Sequence, residues 1–155
     1  MQDLAQEVRF QQAFPPQVVA SVLATDYLNM ENYAKATLVI ETGAVTVGSK
    51  VSIRNATAAG GSGAVALADP FAGGKYYKGG VFTSATSSTS IDYLVIGNSD
   101  DSTTFVATVD ASKLTAGFPF ISAYVASSAC NAYLSATWVL HGARYQGDPP
   151  PSPTT

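Results

Sequence analysis

The sequence predicts an all-β protein, built as an antiparallel β-sandwich of eight or nine strands. Most apolar residues stand in short runs rich in Val, Ile, Thr, Tyr and Phe, and clusters of Gly, Asn, Asp or Ser separate these runs. Helical periodicity is scarce along the chain. The length of 155 residues is that of one domain with a single hydrophobic core.

Alternation of apolar and polar residues identifies the buried faces of the predicted strands. In residues 50–55, Val51 and Ile53 point to one face. The opposite face, expected to meet solvent, carries Lys50, Ser52 and Arg54. Near the C-terminus the same pattern predicts a core face formed by Leu134, Ala136, Trp138 and Leu140. The predicted strands span 17–24, 36–41, 50–55, 76–83, 91–97, 103–109, 120–126 and 132–141, with a short ninth at 64–68.

The connections between strands carry turn-forming residues. Residues 97–101 (Gly-Asn-Ser-Asp-Asp) separate two strong strands and are expected to form a hairpin loop. One short helical turn is predicted at 110–117, because Asp110 can cap the first free N–H groups and Gly117 allows a left-handed stop. The Gly-rich segment 57–63 is expected to be a flexible connection, since it lacks the Gly-Lys-Ser/Thr ending of a phosphate-binding loop.

Both ends of the chain differ from its middle. Residues 1–16 are predicted to form an N-terminal arm, because Pro15 and Pro16 stiffen the chain in an extended form. The sandwich domain is predicted to span 17–144. Residues 145–155 are rich in proline and have too few backbone donors to join a sheet, which predicts an extended C-terminal arm.

Composition narrows the function classes. Charged residues make up 12% of the chain, about half the usual share, so the surface is covered by uncharged polar groups and favours assembly. A net charge of -3 predicts no binding to nucleic acid. Without a secretion signal or an apolar run of membrane-spanning length, we expect a cytosolic protein with no membrane partner. Cys130, the only cysteine, is expected to be a buried free thiol.

Residues able to carry catalysis or bind metals are few and isolated. His141 is the only histidine, and no Gly-x-Ser-x-Gly motif is present, so we expect a strand-end histidine at the surface or an interface. Asp100 and Asp101 are expected to be turn residues, because the Gly and Glu of an EF-hand loop are missing. The carboxylate pair of a glycosidase is brought together by the fold, so no spacing in the sequence identifies one here. We therefore expect a non-enzymatic protein with no catalytic residues, no metal and no cofactor.

Aromatic residues offer a different function. The cluster Lys75-Tyr76-Tyr77-Lys78 mixes cations with aromatics, and we expect it to open a strand with its lysines facing solvent. Core packing, with the polar edge at the rim, is expected for Tyr93, Tyr124, Tyr133 and Trp138. In the alternative hypothesis of a sugar-binding sandwich, the stacking residues would be Tyr76, Tyr77 and Trp138.

Three stretches resemble small structural proteins of tailed bacteriophages. Residues 24–43 read ATDYLNMENYAKATLVIETG, residues 103–115 read TTFVATVDASKLT and lead into 120–125, and residues 136–145 read ATWVLHGARY. Several such phage proteins are jelly-roll cement or decoration proteins that bind the outside of the capsid. The resemblance implies a jelly-roll sandwich on the outer surface of the capsid, assembled in the host cytoplasm. It implies the major capsid protein as a partner. A dimer or trimer of the chain is expected as well, because exposed sheet edges with few guarding charges favour pairing.

In that role the two arms would supply the contacts with the shell. Aromatic and proline residues of the arms would enter apolar pockets of capsid subunits as anchors. The predicted interface residues are Phe10, Phe14, Pro15, Pro16, Tyr145, Gln146, Pro149 and Pro150. Two alternatives remain open at this point, namely a carbohydrate-binding tail adhesin and a component of the tail or of the head–tail connector.

Overall fold

The structure, a computed structural model, describes residues 8–126 and 130–143. These residues form strands and two short 3₁₀ turns, Ala72–Gly74 and Ala111–Lys113, which confirms the all-β sandwich. The strands are β1 (Val8–Val19), β2 (Leu23–Ala24), β3 (Leu28–Asn29), β4 (Tyr33–Val47), β5 (Ser49–Ala56), β6 (Val65–Ala66), β7 (Lys75–Lys78), β8 (Val81–Ser84), β9 (Thr86–Ser88), β10 (Ile91–Ile96), β11 (Thr104–Asp110), β12 (Phe120–Val125) and β13 (Asn131–Ala143).

The strands pair antiparallel in two sheets. Sheet A has six strands in the order β1-β13-β4-β11-β7-β8. Sheet B has the order β2-β12-β5-β10-β9, with β3 also on β12 and β6 also on β5. Each sheet buries one face against the other, as alternating side chains require.

The core lies between the sheets. The predicted face of β13 is confirmed, because Leu134, Trp138 and Leu140 are fully buried and Ala136 nearly so. Cys130 is also buried, as expected. Tyr76 joins the sheets, since its ring packs on Phe105 while its hydroxyl accepts a hydrogen bond from the backbone N–H of Val95, at 3.3 Å.

The predicted N-terminal arm is wrong for residues 8–16, which belong to the long edge strand β1. This strand pairs with β13 from Val8 to Val19. Its register shifts between Phe14 and Gln17, around the two prolines, which have no N–H to donate. An edge strand tolerates prolines because one of its sides needs no partner. The predicted C-terminal arm, 145–155, lies outside the described residues.

The strand predicted at 76–83 is a hairpin of two strands. Gly79 and Gly80 have φ angles of 55° and 82°, so they form the tight turn between β7 and β8. The predicted helical turn is shorter than expected and spans Ala111–Lys113. Its cap is confirmed, because the Asp110 carboxylate accepts a hydrogen bond from the N–H of Ser112 at 2.9 Å. That bond lowers the pKa of Asp110.

Candidate interaction surfaces

The outer face of sheet A holds two adjacent rows of uncharged residues. Directly opposed residues share a face of a sheet, so the strand register defines each row. The first row is Phe10, Val139, Thr37 and Thr108, and the second is Gln12, Thr137, Val39, Val106, Tyr77 and Phe82. These ten residues are called the uncharged face below. Its valines and threonines are half-buried by their neighbours, so the surface is closely covered.

Exposed aromatic rings form the outer ends of the uncharged face. Phe10, on edge strand β1, is 56% exposed. At the other edge Tyr77 and Phe82 are 47% and 52% exposed, and their rings meet edge to face at 4.5 Å. Depletion of charge and enrichment of aromatic residues are typical of the centres of protein interfaces.

His141 lies on the outer side of sheet A beside the uncharged face. Its Nε2 is 3.0 Å from the hydroxyl of Thr37, which is 3.0 Å from the hydroxyl of Thr108. Burial, and secondarily the nearby Lys35, lower the pKa of His141. Among the described residues its imidazole forms no ion pair with a carboxylate. This geometry agrees with the predicted strand-end surface position.

The two edges of sheet A differ. Strand β8 pairs with β7 on one side and has no partner on the other side among the described strands. Its exposed residues Val81 and Phe82 carry no charge of their own. A cation lies near this edge on β7, namely Lys75, whose Nζ is 5.3 Å from the centre of the Phe82 ring. The opposite edge, β1, presents the exposed Pro15 and Pro16.

The outer face of sheet B carries aromatic rings and cations. Tyr124, Ser52 and Tyr93 form one row across β12, β5 and β10. Lys50 and Arg54 lie on either side of Ser52 along β5 and lean onto the two rings. The Nζ of Lys50 is 4.6 Å from the centre of Tyr93, and the guanidinium carbon of Arg54 is 3.5 Å from the centre of Tyr124. These five residues are called the tyrosine–cation cluster.

Two expectations for this face need correction. Ser52 is buried and not solvent-facing, because the flanking side chains cover it. Tyr93 and Tyr124 are half-buried on the outer face and do not pack in the core. The same expectation is wrong for Tyr133 on β13 of sheet A, which is 46% exposed. The sequence already placed Lys50 and Arg54 on one face of β5, but only the register shows which tyrosines lie beside them.

The loop at 97–101 uses its carboxylates within the fold. Asp100 is buried, accepts a hydrogen bond from the N–H of Gly97 at 2.5 Å, and forms an ion pair with Lys78 at 2.8 Å. Asp101 accepts from the N–H of Val45 at 2.6 Å. Asp100 and Asp101 are therefore turn residues, as expected. The predicted hairpin is wrong, because this loop connects β10 of sheet B with β11 of sheet A and these two strands do not pair. Within 8–126 and 130–143 no group of three or more His, Cys, Asp or Glu residues is placed to hold a metal ion.

The structure separates the three predicted sugar-stacking aromatics. Trp138 is fully buried and Tyr76 is 3% exposed, so neither can stack on a sugar ring, and this part of the hypothesis is wrong. Alternation along β13 and β7 turns both side chains into the core. Tyr77 stays exposed. Of the lysines in that cluster, Lys75 meets solvent and Lys78 is half-buried through its ion pair with Asp100.

The predicted interface residues also divide. Phe10, Pro15 and Pro16 are exposed. Phe14 is 4% exposed and belongs to the core, so it cannot act as an anchor for a partner. Four predicted residues lie outside the described part of the chain, namely Tyr145, Gln146, Pro149 and Pro150.

A shallow depression of about 320 Å³ lies at one end of the sandwich, between the end of β3 and the loop 111–119. Met30, Leu114 and Phe118 line it, and Glu31 is the one carboxylate in its wall. A single carboxylate does not make the acid–base pair that glycoside hydrolysis requires.

The comparisons with known proteins identify a shared fold. No family model matches the sequence, and no curated protein matches it. Among solved structures, the crystal structure of the SPBc2 prophage-derived protein YomS matches with a TM-score of 0.53 and 9% sequence identity. The match covers 88% of this chain and 94% of that chain. Over the described residues, no helix has the length and apolar character needed to cross a membrane.

Proposed function

We propose that this chain is a non-enzymatic structural protein of a phage virion, a cement protein that binds the major capsid protein through the uncharged face of sheet A. The observation that carries the proposal is that face, with its closely packed Val and Thr rows and exposed aromatic rings at both edges. The fold shared with a prophage-derived protein supports a phage origin.

Desolvation is the physical basis of this binding. Val and Thr side chains carry no charge. Covering them with a partner therefore does not incur the large desolvation free energy of a charged group, and burial of the face stabilises a complex. Phe10, Tyr77 and Phe82 are exposed at the ends of the rows and would enter apolar pockets of the partner. Repetition of a moderate contact over many symmetric capsid positions then stabilises the shell.

Capsid shells prepared without this protein test the proposal. Val39→Lys places a charge in the middle of the uncharged face and is expected to lower shell occupancy about tenfold or more, since a buried unpaired charge opposes docking. Val95→Lys is the matched control, because Val95 is also half-buried but lies on the outer face of sheet B. Equal occupancy of the Val39→Lys variant and the unaltered protein would contradict the proposal.

Copy number in intact particles separates cement from a connector or tail component. A cement protein occurs in hundreds of copies, whereas a ring with closed cyclic symmetry holds about six to twelve. Quantitative mass spectrometry of purified virions measures this number.

A glycan array tests the adhesin alternative. We expect the unaltered protein to bind no glycan on the array. A glycan signal that disappears in the Tyr77→Ala variant would favour the adhesin.

Self-association through β8 is part of the same proposal. An unguarded edge strand can pair antiparallel with the same strand of a second copy, which gives a two-fold dimer. Val81→Lys adds a guarding charge at this edge and is expected to give monomers in gel filtration. An unaltered protein that is monomeric both in solution and on capsids would contradict this part.

A further inference from the structure

We infer that the tyrosine–cation cluster on the outer face of sheet B binds the carboxylate side chains of an extended acidic segment of a partner protein. This site lies on the opposite side of the sandwich from the uncharged face. The inference is independent of capsid docking, and it assigns a second partner chemistry to the domain.

Within residues 8–126 and 130–143, the cations of the cluster contact aromatic rings and form no ion pair with a carboxylate. Arg54 lies over Tyr124 and Lys50 over Tyr93. The Nε–H of Arg54 is covered and has no hydrogen-bond partner in the described part of the chain. Stacking on an aromatic ring leaves the outer N–H groups of a guanidinium available for a carboxylate.

The other outward positions of the central strands leave these charges unneutralised. On β12, β5 and β10 they hold Phe120, Ser122, Ala56, Ile91 and Val95, together with the three uncharged residues of the cluster, and no carboxylate is among them. Two lysines elsewhere in the described residues do form ion pairs, Lys78 with Asp100 and Lys113 with Asp69. In a chain of net charge -3, this face is locally positive and therefore complementary to an acidic partner.

The spacing of the cations favours an extended segment. Lys50 and Arg54 are four residues apart on one strand, which corresponds to roughly 13 Å. An extended peptide laid along β5 has the same repeat, so carboxylates four residues apart would reach both cations. Arg54 would bind one carboxylate through two parallel N–H groups, and Lys50 would bind the other as a point charge.

A peptide fits this face better than a glycan or nucleic acid does. A sugar ring needs an open aromatic face, and a cation already covers one face of each tyrosine. A long polyanion would extend beyond the cluster over an acidic protein, where repulsion opposes binding. A short acidic segment meets the local positive charge alone, because screening limits its interactions to about 8 Å at physiological salt.

The test uses the purified full chain and a short Ser/Thr-rich peptide with two glutamates four residues apart. Backbone amide chemical shifts followed during titration at low salt report both affinity and location. We expect shifts confined to β5, β10 and β12, and weaker binding as salt rises. Arg54→Gln and Lys50→Gln should each lower affinity about fivefold to tenfold, since each removes a charge-assisted hydrogen bond.

The controls separate this site from general attraction. Lys35→Gln removes the same charge on the outer side of sheet A and should leave affinity unchanged. Arg54→Lys keeps the charge but loses the planar fork, so it should bind more weakly than the unaltered protein. A peptide with Gln in place of Glu should not bind.

Three results would overturn the inference. They are no shifts at millimolar peptide, equal loss of affinity in the Lys35→Gln variant, and shifts at these strands with an acidic oligosaccharide but not with the peptide. Because the assay contains no capsid, its outcome is independent of the capsid-binding test.

Discussion

The outer faces of the two sheets use the same half-buried strand positions in opposite ways. On sheet A the central rows hold threonine and valine without a charge, and on sheet B the central strand β5 holds Lys50 and Arg54 over tyrosine rings. The first face suits a partner selected by shape and desolvation, and the second suits one selected by charge. The two partners proposed for this sandwich therefore differ in chemistry, and salt should weaken binding on sheet B only.

The largest expected effect comes from the core that supports both faces. Trp138 is fully buried between the sheets, so Trp138→Ala should lower the free energy of unfolding by about 3–5 kcal/mol through lost burial and a cavity. Trp138→Phe should cost much less, because the indole N–H has no hydrogen-bond partner in the described residues. Urea denaturation measures both. A loss below about 1 kcal/mol for the alanine variant would contradict the burial of Trp138 in a core between the two sheets.

A smaller effect should distinguish sheet A from sheet B. Asp100→Ala removes the acceptor of the Gly97 N–H and the partner of Lys78 on β7, which should cost about 1–3 kcal/mol. Hydrogen exchange should increase in β7 and β8 and stay unchanged in β12. The control is Asp69→Asn, which removes the exposed ion pair with Lys113 and keeps a residue type that tolerates the positive φ of 47° at this position. It should change stability by less than about 1 kcal/mol. Similar losses in the two variants would contradict a structural role for Asp100.

The stacking on sheet B should be measurable without any ligand. In a double-mutant cycle of Arg54→Gln and Tyr124→Leu, we expect a coupling free energy of about 0.5–1 kcal/mol. The control cycle on sheet A is Thr108→Val with Thr137→Val. These residues lie on β11 and β13, with β4 between them, and should show no coupling. A coupling near zero for the first pair would mean that the ring does not hold the guanidinium.

The smallest effect is a pH dependence located beside the uncharged face. The folded state lowers the pKa of His141 through burial and Lys35, so the unfolded chain binds this proton more readily. Stability from this group is present above the unfolded value of about 6.5 and is lost as pH falls below it. His141→Gln should flatten the stability profile between about pH 7 and 5, as measured by urea midpoints. An unchanged slope would contradict this assignment.

Sequence pattern predicted the central strands and failed where pairing decides the structure. Alternation placed Val51, Ile53 and Trp138 in the core because their strands are central and one face is fully covered. It missed β1, since two prolines argue against a strand unless that strand is at an edge. It also merged β7 and β8 into one strand, because the residues on both sides of Gly79 and Gly80 have strand composition. The turn at these two glycines became evident only from their positive φ angles.

The candidate sites show the same division. The low content of charged residues indicated an adhesive surface but did not locate it. The uncharged face and the tyrosine–cation cluster each combine residues from several strands, and their register is set by contacts distant in sequence. Single side chains such as Tyr76 could not be assigned to an inner or outer face before this register was known.

The unequal edges of sheet A limit the size of any assembly built through them. Pro15 and Pro16 make the β1 side a poor site for strand addition, whereas the β8 side has no partner strand among the described residues. A chain with one edge available for strand pairing can pair with only one other copy. Copies that meet along β8 would stop at a closed pair, and growth into fibres along this sheet would have no second end to continue from.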